Sequence, residues 1–154
     1  MAERAEMKKF QEYINESTSW KAGGFPYFKD NNGQVYVCLF VSNDPYYGGV
    51  RPQMPKGHPD PGEKPVDAAA REASEETGIS FKDLRKGAKP VTVKKFKGET
   101  STYDMHVFGF ALDKKARVYK NDEGEGIWLK IEDAYRDMRP DQKQFLTMLY
   151  QIIN

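Results

Sequence analysis

Residues 57–79, GHPDPGEKPVDAAAREASEETGI, decide how this sequence is interpreted. Pro65 suits the first position of a helix and Gly78 suits a left-handed C-terminal cap, so we predict a helix over 65–77. The preceding residues 57–64 are rich in proline and glycine, which favours a loop. The stretch therefore predicts a loop, a helix and a second loop.

The predicted helix carries an unusual concentration of negative charge on one side. At about 100° per residue, Glu72, Glu75 and Glu76 fall within one arc of roughly 100°, and Val66, Ala70, Ala73 and Thr77 form a separate apolar face. Like charges this close repel each other, and the C-terminal end of a helix disfavours anions. A hard divalent cation such as Mg²⁺ resolves that conflict, because it takes carboxylate oxygens as ligands. From the helix alone, a solvated acidic face stays the alternative.

The spacing of the fixed residues separates the two interpretations. The stretch resembles the Nudix box at each position that the box specifies: Gly57, Glu63, Arg71, Glu72, Glu75, Glu76, Gly78 and Ile79. Ala73 is a minor departure from the family pattern, because the family more often has a larger aliphatic residue at this packing position. Even seven of these eight residues would coincide by chance in well under one random window in a million, at a background of about one in twenty each.

The resemblance implies a fold, a reaction and a cofactor. The fold class is α+β, an α/β/α sandwich with a mixed sheet and a loop-helix-loop motif, formed as a single domain over 1–154. The reaction is Mg²⁺-dependent hydrolysis of a nucleoside diphosphate linked to another group, with Mn²⁺ as a substitute. Bound Mg²⁺ lowers the pKa of a water molecule and a carboxylate takes its proton.

The resemblance also implies roles for individual residues. Glu72, Glu75 and Glu76 match the metal-binding acids, one of which commonly serves as the base. Glu63 supports the metal through water, the carbonyl of Gly57 adds a ligand, and Arg71 orients the acids. Outside the box, Glu125 resembles an additional metal ligand or base ahead of Trp128, with Glu123 as its competitor.

The flanking residues indicate a substrate. Residues 54–58 and 61–63, MPKGH and PGE, resemble the corresponding stretch of the diadenosine tetraphosphate hydrolases, so Lys56 and His58 are candidate phosphate contacts. A solvent-facing loop histidine is the equal alternative for His58. An adenine needs an aromatic partner; the candidates are Tyr46, Tyr47 and Tyr103, although any one tyrosine is more often packed or exposed.

Other functions stay open at this stage. ADP-ribose, flavin or nicotinamide dinucleotides, nucleoside triphosphates and RNA 5′ ends are alternative substrates, and a non-catalytic nucleotide-binding module is the alternative class. A formal net charge of +1 argues against a dedicated nucleic-acid or membrane-surface binder. The single cysteine, Cys38, is expected to be a packed core thiol. We expect a cytoplasmic protein with a small-molecule nucleotide partner and no membrane partner; a homodimer is plausible for the family.

The pattern of apolar residues predicts the remaining elements. We predict a bent or edge strand over 20–28, a central strand over 35–42 buried on both faces, a short strand over 51–56 and a last strand over 126–129. A strand pair covers 91–97 and 102–112. Amphipathic patterns predict helices over 1–16 and near the C-terminus.

Overall fold

The computed structural model describes residues 19–44, 51–97 and 101–153. The elements follow one another in the order β1 (Trp20–Lys29), β2 (Val35–Ser42), β3 (Lys56–Gly57), α1 (Pro65–Thr77), α2 (Phe81–Lys86), β4 (Ala88–Lys97), β5 (Thr102–Ala111), β6 (Gly124–Lys130), α3 (Ile131–Asp137) and α4 (Lys143–Ile153). A 3₁₀ turn, Pro140–Gln142, leads into α4. The predicted helix over 1–16 lies outside the described residues.

The strands form one mixed sheet. Its order is β4-β5-β1-β2-β6, and the short β3 pairs with β1 beside this path. β1 runs parallel to β5 and antiparallel to β2 and β3. With helices on both faces, the predicted α+β sandwich with a mixed sheet is confirmed.

β1 is a central strand, so the prediction of a bent or edge strand was wrong. Pro26 motivated that prediction, because proline has no N–H for a sheet ladder. In the structure, β3 pairs with β1 at Ala22–Gly23 and β2 pairs with it at Tyr27–Lys29. Pro26 lies between these two pairings, where neither partner strand needs its N–H.

Two apolar clusters cover the two faces of the sheet. One joins the sheet to α3 and α4 through buried residues such as Leu39, Phe145 and Leu149. The other joins it to α1 and α2 through Cys38, Ala70 and Phe110. β2 contributes to both clusters, as predicted for a strand buried on both faces. Burial raises the pKa of Cys38 to about 12, which fits the predicted inert core thiol.

Several element boundaries differ from the sequence predictions. The helices α2 and α3 were not predicted, because they span only six and seven residues and give little periodic signal. The predicted strand over 51–56 is reduced to an isolated bridge between Gln53 and Phe40 and the two residues of β3. Within the described ranges, no helix is long and apolar enough to cross a membrane.

Candidate active site

Helix α1 presents one face to the sheet and the other to a cavity. The predicted bounds are confirmed, and Gly78 ends the helix in the left-handed region at φ 83°. The buried face consists of small residues: Ala68, Ala69, Ala70, Ala73 and Thr77. Small side chains bring the helix axis close to the sheet, so the acids of the other face lie near the loop of β3.

Glu72 packs directly against the backbone of Gly57. Its carboxylate occupies the space that a β-carbon at position 57 would need. The pKa of Glu72 is raised, mainly because burial disfavours its charge, although Arg71 opposes that effect. The glycine at position 57 therefore leaves the space in which the Glu72 carboxylate lies against the backbone.

Glu76 lies one turn further along the same face and is largely buried. Lys56 of β3 lies near its carboxylate, since both the charge and the backbone of Lys56 oppose the effect of burial on the pKa of Glu76. Burial raises the pKa of Glu76 well above its ordinary value, and the negative charges of Glu72 and Glu123 add to the effect. A buried carboxylate next to two other acids is the arrangement that a bound cation would stabilise.

Arg71 organises the loop before the helix. Its Nε and Nη2 donate to both oxygens of Glu63 at 2.9 Å each, and Nη2 also donates to the carbonyl of His58 at 2.9 Å. Nη1 donates to Glu72 at 3.0 Å and to Glu75 at 3.3 Å. The hydrogen bond from Arg71 holds the pKa of Glu63 below its ordinary value. Arg71 therefore contacts Glu63, Glu72 and Glu75 at once, and both oxygens of Glu63 are engaged by Arg71.

Glu75 is placed differently from its two neighbours. Its side chain is 58% exposed, against 15% for Glu72, and it contacts Arg71. Among the residues that the structure describes, no three Cys, His, Asp or Glu side chains converge into a ready metal-binding group. The carboxylates of Glu72 and Glu76 and the backbone carbonyl of Gly57, a residue of β3, are hard oxygen donors of the kind that suits Mg²⁺ or Mn²⁺.

A cavity of about 630 Å³ opens beside these acids. Its described lining includes five carboxylates, from Asp44, Glu72, Glu76, Asp122 and Glu123. It also includes Lys21, Lys56 and His58. The cavity therefore presents negative groups that suit a cation next to positive groups that suit phosphate oxygens.

The basic residues of the cavity come from two parts of the chain: Lys21 lies in β1, and Lys56 and His58 lie in β3 and just after it. Burial lowers the pKa of Lys56, and the charges of Lys21 and Arg139 lower it further. Burial lowers the pKa of His58 as well, assisted by Lys21 and Lys56. The sequence analysis identified Lys56 and His58 but missed Lys21 and Arg139, because no local motif marks residues that only the fold brings together.

The structure brings Glu123 into the cavity rather than Glu125. Glu125 pairs with Val41 in the β2–β6 ladder and is absent from the described lining. Strand alternation puts Glu125 on the face of Ile127 and Leu129, which pack toward α3 and α4. The sequence placed an acid near Trp128 but had no register with which to choose between the two.

The aromatic candidates for an adenine clamp receive no support from the described residues. Tyr103 is 5% exposed, packs against the ring of Phe96 and has the ammonium of Lys21 over its own ring. A core ring in this position offers no free face for stacking. Tyr46 and Tyr47 lie outside the described residues.

Gln53 is a further lining residue that the sequence analysis missed. It is 5% exposed, and its Nε2 has no hydrogen-bond partner among the described residues. Buried amide groups are nearly always paired in proteins. The Nε2 of Gln142 is buried in the same unpaired way, so the two glutamines share this feature.

A protein-family model, the NUDIX domain, matches residues 21–149. The chain belongs to the NUDIX family. It is accordingly a Nudix pyrophosphohydrolase, an enzyme of a family that generally uses a divalent metal. A search of curated proteins found no significant match.

Solved structures with the same fold share little sequence with this Nudix chain. A Caenorhabditis elegans Ap4A hydrolase binary complex has a TM-score of 0.70 at 21% identity, covering 87% of this chain and 96% of that chain. The NUDIX domain of Shewanella oneidensis NrtR complexed with ADP ribose has a TM-score of 0.71 at 10% identity, covering 89% of each chain.

A Francisella tularensis bifunctional NMN adenylyltransferase/ADP ribose pyrophosphatase, complexed with AMP and a Mn ion, is also similar. Its TM-score is 0.68 at 16% identity, covering 96% of this chain and 46% of that chain. At these identities the likeness shows the fold alone.

Proposed function

We propose that this Nudix enzyme hydrolyses a phosphoanhydride bond in a dinucleoside polyphosphate, with diadenosine tetraphosphate as the first candidate. The observation that carries the proposal is one cavity whose lining combines carboxylates with Lys21, Lys56 and His58. A chain of phosphates needs both features: a cation for the reacting phosphate and basic groups for its neighbours.

Mg²⁺ is the proposed cofactor, with Mn²⁺ as a substitute. Glu72, Glu76 and the carbonyl of Gly57 would hold it, and Glu75 would join them by turning from Arg71. When bound, the cation supplies charge neutralisation and an acidified water molecule. Arg71 keeps Glu72 in place through the hydrogen bond at 3.0 Å.

The residues of the chain account for the proton and the charges of the reaction. A water oxygen attacks phosphorus while the bridging P–O bond breaks, and the leaving phosphate departs as an anion. We assign the proton of the water to a carboxylate oxygen of Glu123, an exposed side chain close enough to Glu76 to raise its pKa. Lys21 and Lys56 bind the phosphate oxygens that carry the remaining negative charge.

The choice among nucleotide substrates rests on a sequence resemblance and on the size of the cavity. Residues 54–58, MPKGH, resemble the diadenosine tetraphosphate hydrolases, and the Ap4A hydrolase from C. elegans has the same fold. A cavity of about 630 Å³ falls in the usual range for a small-molecule site, roughly 300–1,000 Å³.

ADP-ribose is the second candidate. Two structures with this fold contain ADP ribose or belong to an ADP ribose pyrophosphatase. FAD, NADH and nucleoside triphosphates stay in the comparison set. An RNA 5′ end is disfavoured by the net charge of +1.

The experiment is a product screen by chromatography at fixed excess Mg²⁺. Purified protein is offered diadenosine polyphosphates, ADP-ribose, FAD, NADH, nucleoside triphosphates and a 5′-triphosphorylated RNA, with Glu76→Gln as control. ATP plus AMP from diadenosine tetraphosphate, absent with Glu76→Gln, supports the proposal, and reaction in ¹⁸O-labelled water identifies the attacked phosphorus. Preference for another compound rejects the proposed substrate. If none of the compounds is hydrolysed although metal is bound, a non-catalytic binding module is favoured. The thermal stability of such a module would rise when nucleotide is added.

The location and assembly state of the protein belong to the same proposal. We place the enzyme in the cytoplasm, where nucleotides are abundant, and retain a homodimer as a prediction from the family resemblance. Size-exclusion chromatography with light scattering checks the assembly, and a mass of 17.7 kDa would contradict the dimer.

A further inference from the structure

A short turn before β6 places the two acids Asp122 and Glu123 at the cavity. The side chain of Asn121 closes this turn, because its Oδ1 accepts hydrogen bonds from the N–H groups of Glu123 at 2.9 Å and Gly124 at 3.0 Å. The backbone N–H of Asn121 also donates to the carbonyl of Gly124 at 2.8 Å. One asparagine thus fixes the backbone that carries Glu123.

The same side chain reaches the end of helix α1. Carbonyls in the last turn of a helix lack partners within the helix. Here the N–H of Gly78 goes to the carbonyl of Ser74, and the N–H of Ile79 goes to the hydroxyl of Thr77. The carbonyl of Glu75 is left over, and the Nδ2 of Asn121 donates to it at 3.2 Å.

Asn121 therefore spans two backbones that each carry an acid of the site. On one side it holds the peptide of Glu123, and on the other the peptide between Glu75 and Glu76. The two carboxylates have the same charge, and Glu123 is exposed on a turn, so repulsion favours their separation. A fixed link of one side chain opposes this separation.

The outer side of the turn is held by a second asparagine. The Nδ2 of Asn43 donates to the carbonyls of Asn121 at 3.3 Å and Asp122 at 3.2 Å, and its backbone N–H donates to the carbonyl of Glu123 at 2.8 Å. Asn43 anchors the turn to the end of β2. Two residues before Asn121, the backbone N–H of Tyr119 donates to the carbonyl of Thr77 at 3.2 Å, so the Asn121 side chain extends an existing link with α1 to the turn itself.

We propose that Asn121 is a positioning residue, which holds Glu123 beside Glu76 by tying the acidic turn to the C-terminal end of α1. This inference rests on the proposed function of Glu123 in the hydrolysis. It deepens that function by naming what sets the separation of the two acids. The side chain of Asn121 acts through both its amide groups, so each can be removed separately.

The test compares Asn121→Ala, which removes both groups, with Asn121→Asp, which keeps an acceptor for the turn but loses the donor to Glu75. Because misplacing a catalytic group by about 1 Å can cost about 100-fold in rate, we expect Asn121→Ala to lower kcat by about 10- to 100-fold and to change KM by less than about threefold. Asn121→Asp should lower kcat as well. A wild-type kcat in either variant, measured well below its melting temperature, overturns the proposal.

A double-mutant cycle with Glu123→Gln separates positioning from a general loss of stability. If Asn121 acts through Glu123, the double variant Asn121→Ala/Glu123→Gln loses no more activity than Glu123→Gln alone. Independent, multiplying losses would show that Asn121 acts elsewhere, against the proposal. The control is Gln34→Ala, which removes a side-chain amide that bonds Val35 and Glu132 far from the cavity and should leave kcat unchanged.

Two readouts do not depend on activity. Amide exchange by NMR should show faster exchange at Glu123 and Gly124 in Asn121→Ala and near wild-type exchange in Asn121→Asp. Mn²⁺ binding without substrate, measured by electron paramagnetic resonance, should stay near wild type in Asn121→Ala, because the proposed ligands lie on α1 and β3 and not on the turn. If wild-type protein hydrolyses none of the nucleotides, the proposed function fails, and unchanged exchange at Glu123 and Gly124 in Asn121→Ala would separately overturn the role of Asn121.

Discussion

The carboxylate of Glu72 lies against Gly57 in the space that a β-carbon would fill. This contact joins the loop of the Nudix box to helix α1 at the point where the proposed cation would need two oxygen donors together. A single methyl group is enough to test it, because the Glu72 carboxylate must move aside to make room for an alanine β-carbon.

We expect Gly57→Ala to displace Glu72 and to lower kcat/KM by about 100-fold, in line with the cost of a 1 Å misplacement in an active site. Steady-state kinetics with the substrate found in the product screen measures this. Gly33→Ala is the control: its φ of 85° makes alanine unfavourable there, but the site is distant. It should lose stability and keep its activity. Equal activities for the two variants would contradict the argument.

Arg71→Lys should destabilise the protein by about 1–3 kcal/mol, because lysine offers one point charge where the guanidinium makes several directed hydrogen bonds. Arg71 reaches Glu63, Glu72, Glu75 and the His58 carbonyl at once. Urea unfolding measures the change. The matched control is Arg85→Lys, in an exposed pair with Asp67, where a change within about 0.5 kcal/mol is expected. A similar result for both would mean that the network adds nothing.

Glu123→Gln and Glu125→Gln form a second matched pair, two positions apart. Loss of a general base costs about 10²- to 10⁴-fold, so we expect a fall in kcat of that order for Glu123→Gln. Glu125 faces away from α1, so Glu125→Gln should stay within about twofold, as for substitutions outside a site. The reverse ranking in steady-state assays would return Glu125 to the role that the sequence analysis gave it.

The stability of the metal-free protein should depend on pH through Glu76. Its folded pKa is raised above the unfolded value, mainly by burial. Stability from the protonated form is therefore fully present below the unfolded pKa and is lost as pH rises through the folded pKa. In EDTA, the melting temperature of Glu76→Gln should be higher than that of wild type at pH 7.5 and close to it at pH 4.

Mg²⁺ should reverse that difference. A cation that binds only the folded protein raises its melting temperature, and Glu76→Gln removes one proposed ligand. Thermal melts in EDTA and in excess Mg²⁺ measure both effects. If wild type is the more stable protein in EDTA at pH 7.5, the buried carboxylate is not a source of instability, and this account of Glu76 is wrong.

The parts of the site that sequence reasoning recovered are those that neighbours in the chain specify. The spacing from Gly57 to Ile79 was enough to predict α1, its glycine cap and the acidic face, because a helix places residues by their number alone. The role of Arg71 followed from one helical turn.

The parts that it missed depend on the register and order of strands. Lys21 and Arg139 are far apart in sequence and meet only after the sheet has formed. Glu123 and Glu125 look equivalent until the fold places Glu125 in the β2–β6 ladder and Glu123 in the turn before β6. Pro26 suggested an edge strand. The composition of one strand does not reveal that β1 pairs with β3 before Pro26 and with β2 after it.

The parallel pairing of β1 with β5 joins residues roughly eighty positions apart along the chain. Such a contact closes a long loop, whose entropic cost is met before the contact gives stability. The helix α1 and the neighbouring hairpin of β4 and β5 involve short separations and can form earlier. Lys21, carried by β1, then reaches its place only when the last long loop closes, so recovery of phosphate binding during refolding should follow the slow closure of the sheet rather than the return of helix signal.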